Sequence, residues 1–274
     1  MLTPIVLLIA LVAAPRDPAQ PDALHARPTL IAESAGATPG RTIWFALDFE
    51  IDPGWHMYWP GQNDSGFALR AEFETSPNVT IGEPVWPAPH RYFPTDGILD
   101  HVFEERLTVL VPASVSADAK PGDRVSIGAE LTWLACAEVC IAEDAEVSLQ
   151  VPVSVGEAPA DARHAKAFAE ARARVPRDPE PDDGVCVEVS DQMLRIHAAG
   201  ATRLAFYPLE GARRPRRLIR DGEREGDTLE IELREGAEPI AGVLEVWTER
   251  RAVSRVFTIR WPVGPEAAAP EADS

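Results

Sequence analysis

Sulfur and positive charge are both scarce in this chain of 274 residues. It has three methionines and three cysteines. Lys and Arg total 26 against 44 Asp and Glu, a net charge of −18. That balance speaks against a nucleic-acid partner, because binding to phosphates needs a basic footprint that displaces counterions. It equally disfavours docking to anionic lipid through charge. Long apolar runs are missing too, apart from one at the N-terminus over residues 2–14. Nothing after it is long and apolar enough to cross a bilayer. No convincing internal repeat is present, although the two β-rich halves could be distant duplicates.

The 2–14 run is short for a membrane span and fits the apolar core of a signal peptide. No Lys or Arg precedes it, Pro15 opposes cleavage directly after Ala14, and no cysteine follows it to carry a lipid. Residues 1–26 therefore read as a signal peptide or N-terminal anchor, with cleavage after Ala13 or further on, near Ala26. The expected location is periplasmic or secreted, either free or tethered by an uncleaved segment. Disulfides persist in such a compartment.

What the chain does have is β-sheet rhythm. Hydrophobic residues make up 45%, enough to fill real cores. The 26 prolines suit strand edges and turns better than long helices. Residues 28–155 read as short strands, among them 42–49, 107–111, 125–134 and 145–155. In the first of these Ile43, Phe45, Leu47 and Phe49 share one face and Trp44 takes the other. Pro39-Gly40, Pro53-Gly54 and Pro121-Gly122 mark turns between strands. The pattern predicts an all-β sandwich. Residues 156–183 read as a connector. Its helix, 160–175, has Asp161 as cap, Pro176 as stop and a thin stripe of Ala165, Phe168 and Ala169 that predicts light packing. A stiff Pro-rich linker over 176–183 follows. Residues 184–262 predict a second small β-sandwich-like domain of six strands, at 185–189, 193–197, 204–207, 228–233, 243–248 and 253–261. The Ala/Pro/Glu-rich tail, 263–274, has a disordered composition.

The sharpest chemical feature is Leu131-Thr132-Trp133-Leu134-Ala135-Cys136-Ala137-Glu138-Val139-Cys140. A strand runs into two cysteines separated by three residues, and a hairpin turn there would bring their Cα atoms within disulfide reach. Closing so short a loop removes little chain entropy, about 2 kcal/mol. The span therefore favours a bond made to be opened, while a structural disulfide and a metal site remain alternatives. Glu138, Glu143 and Asp144 disfavour a thiolate, so the pair reads as one activated when a partner docks. A second feature is Pro53-Gly54-Trp55-His56-Met57-Tyr58-Trp59, followed by Gly61-Gln62-Asn63-Asp64-Ser65-Gly66. It is either a binding surface or a strand whose aromatics fill the core. His56, Met57 and His101 beside the cysteines could bind copper, but no ordered ligand spacing supports this and methionine is scarce. His101 reads as a surface or lid residue. A third feature, Trp86-Pro87-Ala88-Pro89-His90-Arg91-Tyr92-Phe93 leading to Asp100-His101-Val102-Phe103-Glu104, is a loop that could cover a reactive site or an ordinary connection. Cys186 stands apart as a buried or inert thiol, with an intermolecular disulfide as the alternative.

Together these motifs resemble the N-terminal periplasmic region of the DsbD/ScsB thiol–disulfide interchange proteins, over about residues 28–155. The stretch 203–247 is similar to the second periplasmic domain of the ScsB type. The resemblance implies an immunoglobulin-like sandwich with Cys136 and Cys140 as its redox pair. Cys140 would form the mixed disulfide with a partner and Cys136 would resolve it. It also implies an aromatic cap loop, matched here to residues 96–103 with Phe103 as leading candidate. His101 stands where an aromatic is usual, and Tyr92 and Phe93 are further candidates for cap or partner contact. The implied partners are a separate membrane electron donor and thioredoxin-like periplasmic clients, because this chain has neither the polytopic membrane domain nor the Cys-x-x-Cys thioredoxin-like domain. No metal and no cofactor are called for. A thiol–disulfide oxidoreductase activity, a non-catalytic immunoglobulin-like binding module with a structural disulfide, and copper handling stay open as functions.

Overall fold

A computed structural model of the protein describes residues 24–95 and 97–261. The apolar N-terminal run and the acidic tail lie outside the described residues. Among the described residues the fold is all-β, with seventeen strands and two short α-helices. The first ten strands are β1 (Ala26–Ala32), β2 (Thr42–Ile51), β3 (His56–Tyr58), β4 (Arg70–Thr75), β5 (Val79–Ile81), β6 (His90–Tyr92), β7 (Asp100–Glu104), β8 (Arg106–Val115), β9 (Arg124–Cys136) and β10 (Cys140–Pro152). One sheet has the order β1-β2-β8-β5; the other has the order β10-β9-β3-β7-β6, with β4 also paired to β9. The two sheets stack through one apolar core. Ile43, Phe45, Leu47 and Phe49 of β2 face Val125, Ile127, Leu131 and Trp133 of β9 within it. This is the period-two alternation that the sequence shows.

Trp133 carries a polar edge into that core. Its Nε1 donates to Glu143 Oε2 at 2.9 Å. The same carboxylate accepts the backbone N–H groups of His25 at 2.7 Å and Ala26 at 3.2 Å. Glu143 thus ties the start of β1 to the β9–β10 hairpin. Ala26 is already the first residue of β1. Cleavage after Ala26 would remove that residue together with both amides held by Glu143.

Helix α1 (Ala165–Arg174) is shorter than expected. Asp161 does not cap it; its carboxylate bonds the backbone and guanidinium of Arg163 in the preceding turn. The packing is not light either. Ala167, Phe168 and Ala171 are buried on the outer face of the first sheet against Ile31, Ala46 and Leu110, with Trp44 beside them. The linker is docked as well, since Arg177 bridges to Phe257 and pairs with Asp183.

The remaining elements are β11 (Val185–Ser190), β12 (Met193–Ala198), β13 (Arg203–Pro208), α2 (Leu218–Asp221), β14 (Glu223–Glu225), β15 (Thr228–Glu232), β16 (Ile240–Trp247) and β17 (Arg255–Trp261). They form two sheets, β11-β12-β15 and β14-β13-β16-β17, around a second core. The six strands read from the sequence are present. The charged strand β14 and helix α2 are additional, because Arg- and Glu-rich segments carry no apolar period.

The two sandwiches meet at a mixed seam. Tyr207, Val243 and Val256 join the core of the first sandwich. Gln62 Nε2 donates to the carbonyls of Leu209 at 3.1 Å and Ala212 at 2.7 Å. Tyr207 donates its hydroxyl to Glu245 at 2.7 Å, and Arg174 and Ser254 also bond that carboxylate. His101 is fully buried here, its ring edge-on to Trp59 and Tyr207. Its Nδ1 lies 2.7 Å from the Gln62 carbonyl, which can only accept, so Nδ1 carries the proton; Nε2 has no partner.

Two outcomes are expected from these contacts. Glu143→Ala strands three donors and should lower the unfolding free energy by about 3 kcal/mol in urea titrations, with Glu143→Gln losing less. Burial pulls the His101 pKa down from 6.5 to about 4. The unfolded chain therefore binds more protons between those values, so stability is complete above about pH 6.5 and falls as pH drops toward 4, by on the order of 3 kcal/mol. His101→Gln should flatten that loss, read as the difference in urea midpoint between pH 7 and pH 4.5; an unchanged slope would refute the assignment.

Candidate functional site

The β9–β10 hairpin places the two cysteines directly opposite each other, as the last pair before the turn. They are joined by a disulfide with a Cα–Cα distance of 4.1 Å. The three-residue turn, 137–139, is closed by the Ala137 N–H bonded to the Val139 carbonyl at 3.0 Å. The two sulfur-bearing residues differ sharply in access: Cys136 is 1% exposed, whereas Cys140 lies at the surface.

Alternation along β9 determines what surrounds Cys136. Trp133 and Ala135 point into the core, so Cys136 points out of the opposite face of the sheet. There it packs with Tyr58 and Val102, with Tyr92 and Leu134 against them. His56 is its cross-strand neighbour. The His56 ring is buried between Tyr58, 5.4 Å away, and Tyr92, 4.4 Å away. Burial pulls its pKa down, while Glu104 and Asp100 pull it back up.

A line of polar groups leads away from the exposed sulfur. The Tyr58 hydroxyl is 3.8 Å from Cys140 Sγ and 3.3 Å from Ser65 Oγ. Ser65 Oγ donates to Asp100 Oδ2 at 2.6 Å. Asp100 is buried, and its other oxygen accepts the backbone N–H groups of Asp64 and Ser65. Burial pushes the Tyr58 pKa up, so its proton stays on. A carboxylate can only accept, and that sets the direction of the line. Ser65 points its proton to Asp100, which leaves its oxygen free to accept from Tyr58; the disulfide sulfur carries no hydrogen and can likewise only accept from that hydroxyl.

The structure divides the residues singled out from sequence. Cys136 and Cys140 come together, and Tyr92 covers Cys136. Phe93 follows at the edge, half exposed, with the Arg91 guanidinium over its ring. Phe103 and His101 do not reach the pair. Both sit on the opposite face of β7, Phe103 in the core stacked on Trp86 and His101 in the seam. The aromatic covering Cys136 thus comes from β6, ahead of the stretch 96–103; Asp96 itself lies outside the described residues. His101 is neither a surface nor a lid residue. The copper set is split in the same way, since Met57 and His101 face inward while His56 faces the disulfide. Among the described residues no group of three or more His, Cys, Asp or Glu side chains is placed to hold a metal. Glu143 lies on the far face from the cysteines and is occupied by Trp133. Cys186 is exposed, not buried.

Sequence reading missed Asp100 as a partner of the site and weighed His56 beside the cysteines only as a copper ligand. The alternation His56-Met57-Tyr58, which puts His56 and Tyr58 on one face, was the signal for His56; nothing comparable marks the contact of Asp100 with Ser65.

No curated protein matches the sequence. Among solved structures, the N-terminal periplasmic domain of ScsB from Proteus mirabilis is similar at 18% identity and a TM-score of 0.58, covering 90% of this chain and 97% of that one. The reduced DsbD N-terminal domain of Neisseria meningitidis is 17% identical with a TM-score of 0.28, over 50% of this chain and 90% of that one. The family described as "Thiol:disulfide interchange protein DsbD, N-terminal" matches residues 26–152, the segment that builds the cysteine hairpin and its surroundings. Over residues 26–152, a little under half of the chain, the sequence is thus similar to the DsbD N-terminal family of thiol:disulfide interchange proteins.

Proposed function

We propose that the protein is a periplasmic thiol–disulfide exchange protein that relays reducing equivalents from a membrane reductase to thioredoxin-like clients. The observation that carries this reading is the unequal access of a bonded pair, with Cys140 exposed and Cys136 buried. In electron uptake a donor thiolate attacks Cys140 Sγ. The Cys136–Cys140 bond breaks, Cys136 leaves as a thiolate and takes a proton, and the donor's second thiol resolves the mixed disulfide. In delivery the Cys140 thiolate attacks a client disulfide. Cys136 then attacks Cys140 Sγ, restoring the internal bond and releasing the client as a dithiol. Two electrons and two protons move in each half-cycle.

The surroundings suit a pair that waits for its partner. In the reduced form a Tyr58 hydroxyl whose proton turns to Ser65 offers the Cys140 thiol an acceptor and so favours the thiol over the thiolate. The buried Asp100 charge acts in the same direction. The apolar side chains of Val139 and Ile141 flank Cys140 and are exposed, giving a docked partner a surface from which water is excluded.

Two measurements test this. In the native compartment a Cys136→Ser variant should accumulate a mixed disulfide through Cys140 that acid trapping captures. If no adduct forms and the wild-type pair stays oxidised at a potential below about −300 mV, the bond is a structural one. In the reduced wild type the Cys140 thiol should titrate at or above the ordinary thiol range. Asp100→Asn removes the charge and supplies Ser65 with a donor, freeing the Tyr58 proton for the sulfur; both changes should lower the Cys140 pKa in the pH profile of alkylation. A wild-type value well below that range would exclude activation by docking.

A further inference from the structure

Strand β6 is poorly held by its own sheet. It is three residues long, lies at the sheet edge and pairs only with β7. Yet it carries Tyr92, the ring that covers Cys136, and Phe93 beyond it. Contacts from outside the sheet grip this stretch at its start and in its middle.

At its start, Arg174 donates to the carbonyls of Ala88 at 3.1 Å and Pro89 at 3.3 Å, and the Ala88 N–H returns to the Arg174 carbonyl at 2.8 Å. Arg174 is held in turn by Glu245 of β16. In its middle, Arg91 points across the seam. Its guanidinium donates to the carbonyls of Leu218 at 2.8 Å and Ile219 at 2.9 Å, both in α2, and lies 3.6 Å from Glu223. The Arg91 side chain is only 5% exposed and its Nε has no partner. Burying a cation with so few partners is costly, and burial also pulls its pKa down. Within the first sandwich the guanidinium meets only the Phe93 ring, 5.3 Å away; the hydrogen-bond acceptors all belong to the second.

We infer that the C-terminal sandwich holds the cap strand closed over Cys136, the buried half of the disulfide, with Arg91 as the positioning residue that bolts β6 to α2. Tyr92 follows Arg91 in an alternating strand, so fixing Arg91 inward fixes Tyr92 outward over Cys136. Release of the Arg91 contacts leaves three residues of edge pairing to hold the cap. The second sandwich, which carries no bonded cysteines, thereby sets access to the pair. Its meaning for exchange rests on the redox reading above, whereas access to the disulfide can be measured without it.

The test is the rate at which dithiothreitol reduces the disulfide in the full chain. Two electrons and two protons pass to Cys136 and Cys140 while dithiothreitol closes to its cyclic disulfide. Arg91→Ala should raise the rate about tenfold, the effect of losing a charge-assisted pair of hydrogen bonds. Arg91→Lys keeps the charge but loses the second guanidinium nitrogen that faces Glu223, and should raise it by a smaller factor. Leu194→Ala, which opens the second core in β12 away from the cap, should lower the Tm and leave the rate unchanged. Rates within twofold of wild type for both Arg91 variants would overturn the inference. So would an equal rise in Leu194→Ala, which would make the effect one of general loosening. Failure to trap a mixed disulfide, with Arg91→Ala still accelerating reduction, would instead sink the redox reading alone.

Discussion

The alternation of side chains along β9 is the constraint on which the site depends. Val125, Ile127, Ala129, Leu131, Trp133 and Ala135 all enter the core, and Cys136 is the first residue after them on the other face. A slip of one residue would drive the cysteine inward and expose Trp133. The Trp133–Glu143 hydrogen bond resists that slip, because it joins the two strands of the hairpin inside the core and also collects the first amides of β1. A buried carboxylate with three donors is a directional contact, so it selects one register where apolar packing alone would tolerate several. The placement of the cysteines is therefore inherited from a tryptophan three positions earlier.

The seam works by the same logic at a larger scale. Apolar contact brings Tyr207, Val243 and Val256 against the first core, but such contact does not fix orientation. Directional bonds do. Gln62 reads two carbonyls of the second sandwich, Arg91 reads two more, and Glu245 gathers Tyr207, Arg174 and Ser254. His101 lies among these groups as a neutral ring. Of the elements that face the disulfide, β6 and β7 also send Arg91 and His101 from their opposite faces into this seam, while β3 sends Met57 into the first core. Site and seam are two sides of one layer of short strands.

That layer is where sequence reading had least purchase. The long strands β2, β8, β9 and β10 were legible because an apolar period of two persists over many residues. The cysteine hairpin was legible because two cysteines interrupt such a run, and the family resemblance rested on motifs around it. Strands of three residues, such as β3 and β6, carry no period of their own. Phe103 therefore ranked ahead of Tyr92 as a cap, although pairing sends Phe103 to the core and Tyr92 to Cys136. Glu143 was read by its distance along the chain as an acidic neighbour of the pair, whereas strand geometry puts it on the far face. Phe168 was undervalued for a different reason. A helix with few apolar residues can still be well buried when the sheet beside it offers Ile31, Ala46 and Leu110 as a floor.

The same geometry bears on why the disulfide can serve as a reversible bond. Closing a loop of five residues restrains the unfolded chain by only about 2 kcal/mol in the chain-entropy account. The hairpin does not need that contribution to keep its register. Thirteen residue pairs align β9 with β10, and Trp133 and Glu143 lock them from within. Opening the bond therefore removes a local restraint and leaves the sandwich intact, with Cys136 still pointing at Tyr58, Val102 and Tyr92. A disulfide joining distant strands could not be cycled without loosening the core it secured. Here the groups that stabilise the fold, Trp133 and Glu143, and the bonded cysteines lie on opposite faces of one hairpin, so the bond can open while the fold stays fixed.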